Sequence, residues 1–158
     1  IKVEVSLYQI VSAPLEKTLG LPHLGTKQSL SLKRRKERTM MELIELPEDH
    51  IVGFRIDGKV DNETFDRMLA EVEDRLTRNE KLRSYVELVS LGGIGLEALF
   101  KDMKFGLGNW RRFEREAVVS DRAWVSKIVT VADRLMPSVE VKAFPAEEKE
   151  AALTWVRA

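Results

Sequence analysis

Three groups of residues have the types and spacing that chemistry needs. Gly93-Ile94-Gly95-Leu96-Glu97-Ala98 fits G-x-G-x-x-A, a pattern in which glycines turn the chain from strand to helix and let backbone N–H groups approach a pyrophosphate. It follows the apolar run Leu82 to Ser90, and Asp121, the acid that would hold a ribose, ends the next strand. Against a nucleotide site, Asp121 lies farther along than usual, the motif follows the third strand, and no room remains for a substrate domain. The alternative is a glycine turn that lets a helix pack closely on a sheet. The second group is Ser90 and Ser120, both at carboxyl ends of strands, where a nucleophile or a phosphate acceptor would stand beside Gly92, Gly93 and Asp121. Neither serine lies in a G-x-S-x-G elbow. The third group is the two histidines, His23 and His50. His50 opens a strand, away from the ends that carry the serines, so no Ser-His pair is expected. The histidines and scattered carboxylates show no metal-ligand spacing, and without cysteine there is no thiolate. No catalytic residue, cofactor or metal is expected.

The charge balance narrows the partners. The 158 residues hold 26 Lys plus Arg and 26 Asp plus Glu, but residues 1–39 carry eight basic and three acidic side chains. Residues 40–158 are therefore net −5, and no nucleic acid is expected as a partner. No apolar run is long enough to span a bilayer, and Glu4 and Gln9 interrupt the one segment resembling a signal peptide. The absence of cysteine fits a reducing compartment, and the expectation is a cytoplasmic protein. Residues 1–39 contain Pro14, Gly20, Pro22 and Gly25 and end in Lys33-Arg34-Arg35-Lys36-Glu37-Arg38, without strand or helix periodicity. They are expected to be disordered, or to be a non-native extension read from a purine-rich ribosome-binding site upstream of a start at Met40 or Met41.

Residues 40–158 read as one domain. Glu42 to Leu46 and His50 to Ile56 alternate apolar and polar residues around Pro47-Glu48-Asp49, as a hairpin does. Asp61 caps a helix whose apolar positions Phe65, Met68, Leu69, Val72 and Leu76 recur at three and four. Its pairs Glu63/Arg67, Glu71/Arg75 and Asp74/Arg78 predict a solvated outer face. Leu82 to Ser90 has too few polar positions for an edge strand and is placed mid-sheet. A helix to about Phe105, a strand Glu116 to Ser120, a helix capped by Asp121, a strand Val139 to Phe144 and a helix opened by Pro145 complete the order. The class is α/β: a mixed, mostly parallel sheet with an N-terminal β-hairpin and about four helices.

The helix after Asp121 is too apolar for one sheet face. Trp124, Ile128, Val131 and Leu135 form one row and Val125, Val129, Ala132 and Met136 another, wider together than the stripe of about 100° that a sheet covers. A neighbouring helix, a dimer partner, an apolar ligand or a membrane surface would cover the surplus. The segment expected to face it carries Leu99, Phe100, Met103, Phe105 and Trp110, and these with Trp124, Ile128 and Val131 are the candidate ligand-binding residues. Methionine adapts to varied partners, which favours a pocket.

In Asp57-Gly58, Asp102-Met103-Lys104-Phe105-Gly106, Ala117-Val118-Val119-Ser120-Asp121 with Trp124, Val141 to Phe144 and Ala152-Leu153-Thr154-Trp155, residues 41–158 resemble the SpoIIAA-like proteins of the STAS superfamily. The resemblance implies a small, non-enzymatic α/β sandwich whose relatives dock on protein partners or resemble lipid-carrying CRAL-TRIO domains. Regulatory members carry an Asp-Ser phosphorylation motif after the central strand. Here that loop reads Ser90-Leu91-Gly92-Gly93 and lacks the pair. The leading expectation is a non-catalytic domain that binds an apolar small molecule or lipid, or makes a peripheral membrane contact. A homodimeric protein-interaction module and a nucleotide-binding protein using Gly93 and Gly95 are the alternatives.

Overall fold

The computed structural model describes residues 39–92, 96–106, 108 and 110–158. The expectations for residues 1–38 and for Gly93-Ile94-Gly95 fall outside them.

The alternating segments form the expected hairpin. β1 (Thr39–Ile44) and β2 (Ile51–Gly58) pair antiparallel, with Ile44 opposite Gly53. β1 lies nearer the amino terminus than its alternation implied, because Thr39 already pairs with Gly58 and the turn takes Glu45 to His50. α1 (Asn62–Arg78) starts where Asp61 predicts: the Thr64 N–H donates to the Asp61 carboxylate at 2.8 Å. Its buried stripe is Met68, Val72 and Leu76.

The charged face of α1 differs from the sequence reading. Asp74–Arg78 forms at the surface, and Arg67 donates to Thr64. Arg75 is buried: its Nε donates to Glu71 at 2.6 Å and its Nη1 to the Ile51 carbonyl at 2.8 Å. An i,i+4 pair that looked solvated instead ties the helix to the start of β2, because the hairpin turn folds back beneath the last helical turns.

β3 (Leu82–Leu91) is the middle strand of the order β1-β2-β3-β4-β5, with β4 (Phe113–Ser120) and β5 (Glu140–Pro145) beyond it. From β2 to β5 all pairs are parallel. Because the order advances one way, right-handed crossovers place successive connecting helices on the same face. α1, α2 (Leu96–Gly106) and α3 (Arg122–Leu135) cover that face over a core that includes Val52, Phe54, Val86, Val118, Ile128 and Ala132. The opposite face, Ile51, Tyr85, Ala117, Val119 and Phe144, is closed by α4 (Lys149–Arg157) through Ala152 and Val156. Pro145 does not open this helix. It still pairs with Ser120 in the β4–β5 ladder, and Ala146–Glu148 forms a 3-10 turn first.

Candidate functional site

The strand ends that carry the serines are structurally occupied. Ser90 stands opposite Asp57 in the β2–β3 ladder and its hydroxyl donates to the Asp57 carboxylate at 2.8 Å. Ser120 is buried and donates to the Leu88 carbonyl at 2.9 Å, a tie between β3 and β4. Asp121 caps α3 by accepting from the Ala123 N–H at 2.8 Å. Gly92 donates to the Gly58 carbonyl at 2.9 Å, and a Cβ there would lie 2.7 Å from the Lys59 nitrogen, so only glycine lets the two chains come so close. In open α/β sheets the ligand crevice opens where strand order reverses. Among the described residues the order runs straight from β1 to β5 and supplies no such reversal.

A site of another kind lies inside. Between the sheet and its three-helix cover is an apolar cavity of about 20 Å³. Phe54, Trp110 and Phe113 give it aromatic walls, and Met68, Met103 and Met136 give it flexible ones. Two polar side chains reach it: Ser84 of β3 and Glu116 of β4, register partners that are 3% and 5% exposed. Burial pushes the Glu116 carboxyl up to about 7, against a smaller opposing pull from the Ser84 hydroxyl. Cations on the surrounding elements are engaged elsewhere. Lys104 donates to the Leu135 carbonyl at 2.7 Å and lies 4.7 Å from the centre of the Trp110 ring. Arg112 donates to the Leu76, Asn79 and Glu80 carbonyls. No cation among the described residues pairs with Glu116.

An outer groove of about 250 Å³ runs between β1 and α1, lined by Met41, Leu43, Thr64, Arg67 and Glu71. Phe54 and Met68 line both spaces and form the partition between them. Leu43, 45% exposed, gives the groove an apolar lip.

Comparison with known proteins fixes the family. The SpoIIAA-like family model matches residues 51–157, from the first residue of β2 to the last residue of α4. The chain belongs to the SpoIIAA-like family. A solved structure of an uncharacterised protein from Shewanella loihica PV-4 has a SpoIIAA-like fold and is 26% identical. The similarity covers 74% of this chain and 92% of that one, with a TM-score of 0.56. No curated protein matches the chain.

Within this SpoIIAA-like domain the candidate ligand-binding residues separate into three positions. Met103 and Trp110 line the cavity. Leu99, Phe100 and Ile128 are buried core, and Trp124 and Val131 pack half-buried against it. Phe105 points outward, 70% exposed. α3 lies on β4 and β5 and beside α2, which accounts for part of its apolar width: Ile128, Ala132 and Met136 are buried and Trp124, Val131 and Leu135 pack against the core, whereas Val125 and Val129 stay half-buried outside it. Glu116 was missed as a site residue by the sequence reading, which placed it only as the first residue of the strand Glu116 to Ser120. A signal was present. Alternation puts Glu116 in phase with Val118, on a strand whose every position from Ala117 to Ser120 is buried. Among the described residues no cluster of metal ligands occurs, and no helix is long and apolar enough to cross a membrane.

Proposed function

We propose that this SpoIIAA-like domain is a non-catalytic binding module that takes a small apolar molecule into the space between its sheet and the α1–α2–α3 cover. One observation carries the reading: an apolar cavity walled by three methionines and three aromatic rings, with one carboxyl–hydroxyl pair at its floor. Ligand sites are mostly apolar with a few placed polar groups, and methionine walls adjust to an occupant. The closed cavity has room for about one water, so a larger occupant enters by displacing Met68 and extending into the outer groove. The non-catalytic part rests on the two strand-end serines, whose hydroxyls are bonded to Asp57 and to a backbone carbonyl.

The test is a titration of methyl-labelled protein with n-octanol and with its amine and carboxylate counterparts. Binding is expected to move the Met68, Met103 and Met136 methyl resonances and to change Trp110 fluorescence. If no such probe moves them, the reading is wrong. A second reading, an apolar contact with a protein or a membrane, is favoured by Phe105, exposed at the end of α2. Light scattering and vesicle co-sedimentation of wild type against Phe105→Ser test it, and indifference to the substitution removes it.

A further inference from the structure

We propose that the molecule this site takes is an amphipathic amine, its ammonium group seated against Glu116 and Ser84 and its alkyl chain passing Phe54 and Met68 into the β1–α1 groove. The inference rests on the binding reading above and adds the chemistry of the head group.

Four observations converge on a cation. Among the described residues Glu116 is the one ionisable group lining the cavity, and no cation pairs with it. A carboxylate removed from water needs a positive partner held close, and an anionic head group beside it would add like-charge repulsion. Phe54, Trp110 and Phe113 surround the same space, and aromatic rings are the apolar walls that attract an ammonium group. Ser84, directly opposite Glu116, supplies a second acceptor, so one ammonium has two oxygen partners on adjacent strands.

Dimensions give the same division between head and tail. The inner space, about 20 Å³, matches an ammonium group, which is about the size of a water molecule. The outer space, about 250 Å³, suits a short alkyl chain, and its lip is the exposed Leu43. Phe54 and Met68, shared by both, are where the chain would cross from one to the other. Phe54 is fixed in the strand, whereas Met68 is an unbranched side chain that changes rotamer at low cost.

The experiment uses octylamine, n-octanol and octanoate, which share a chain and differ in the head. Calorimetric titration near pH 8 is expected to rank them in that order, the amine about tenfold tighter than the alcohol. Glu116→Gln, close in shape, is expected to abolish the roughly tenfold preference for the amine over the alcohol. Leu43→Glu should weaken amine and alcohol together. If octanol or octanoate binds as tightly as octylamine, or if Glu116→Gln keeps the amine preference, the head-group inference is overturned while the pocket stands. If none of the three binds, both the inference and the pocket reading fall.

Discussion

Glu116 and Ser84 stand directly opposite each other on the two innermost parallel strands, both buried, on the face that the three helices cover. In most proteins a carboxyl at such a position is matched by an arginine or lysine. Here its neighbour is a hydroxyl and the remaining surroundings are apolar, so the protonated form is favoured in the folded state. The domain thereby keeps a polar group at the centre of its core at a standing cost.

That cost gives the first prediction. Glu116 titrates at about 7 when folded against 4.5 as an ordinary carboxyl, so between those values the folded state holds a proton that the unfolded chain has released. Stability from this group is full below pH 4.5 and falls as pH rises towards 7, by on the order of 3 kcal/mol in all. Asp49, Asp61, Glu97 and Glu114, whose folded values are lowered, contribute in the opposite sense and only in more acidic solution. Urea unfolding at a series of pH values should show wild type losing ground to Glu116→Gln across that window. Parallel curves for the two proteins would mean that Glu116 is not held neutral.

Arg75 supplies the second. Its guanidinium joins Glu71 on its own helix to the Ile51 carbonyl at 2.8 Å and the Asp49 carbonyl at 3.3 Å. Arg75→Met keeps the stem and removes the fork, leaving a buried carbonyl without its donor, at about 2–3 kcal/mol. Arg75→Lys should recover only part, since a point charge cannot reach Glu71 and two carbonyls at once. Full recovery by lysine, read from the urea midpoint, would contradict this account.

A third concerns the hairpin. A Cβ on Gly53 would lie 2.8 Å from the Ile44 carbonyl oxygen and 2.9 Å from the Ile44 Cβ on the neighbouring strand. Backbone on that side cannot give way without moving β1, so Gly53→Ala should cost about 1–3 kcal/mol. Faster amide exchange confined to β1 and β2 would identify the cause, and an unchanged exchange pattern would refute it.

The fourth separates the two serines that first drew attention to the strand ends. Ser120→Ala leaves the buried Leu88 carbonyl without its side-chain donor and should cost about 1 kcal/mol. Ser90→Ala breaks an exposed bond to Asp57 and should fall within about 0.5 kcal/mol of wild type. Reversal of that order in thermal unfolding would show that Ser90 has the larger structural role.

Much of the architecture was legible because local signals and tertiary placement agreed. Asp61 and Asp121 cap the helices they precede, the alternation around Pro47 gives a hairpin, and the polarity of Leu82 to Ser90 places β3 in mid-sheet. The site was less legible for two physical reasons. A helix in a three-helix layer can bury apolar side chains against its neighbour as well as the sheet, so apolar width alone does not say how much of α3 is surplus; α2 lies beside it and covers part. Charge is a poor guide to exposure where context overrides it. Arg75 was read as part of a solvated face and Glu116 merely as the start of a strand, and both are buried.

Strand order that repeats chain order also has a kinetic side. Each strand from β2 to β5 pairs with the one synthesised just before it, so the sheet can grow by apposition and most pairing closes short loops. The second face depends on the end of the chain. Arg83 donates to the Val156 and Arg157 carbonyls, and Arg157 reaches Glu48 of the hairpin turn, 109 residues earlier in the chain. Without α4 docked through those contacts, Ile51, Tyr85, Val119 and Phe144 would face water, so the last nine helical residues are what separates a two-layered domain from a sheet with one bare, aggregation-prone face.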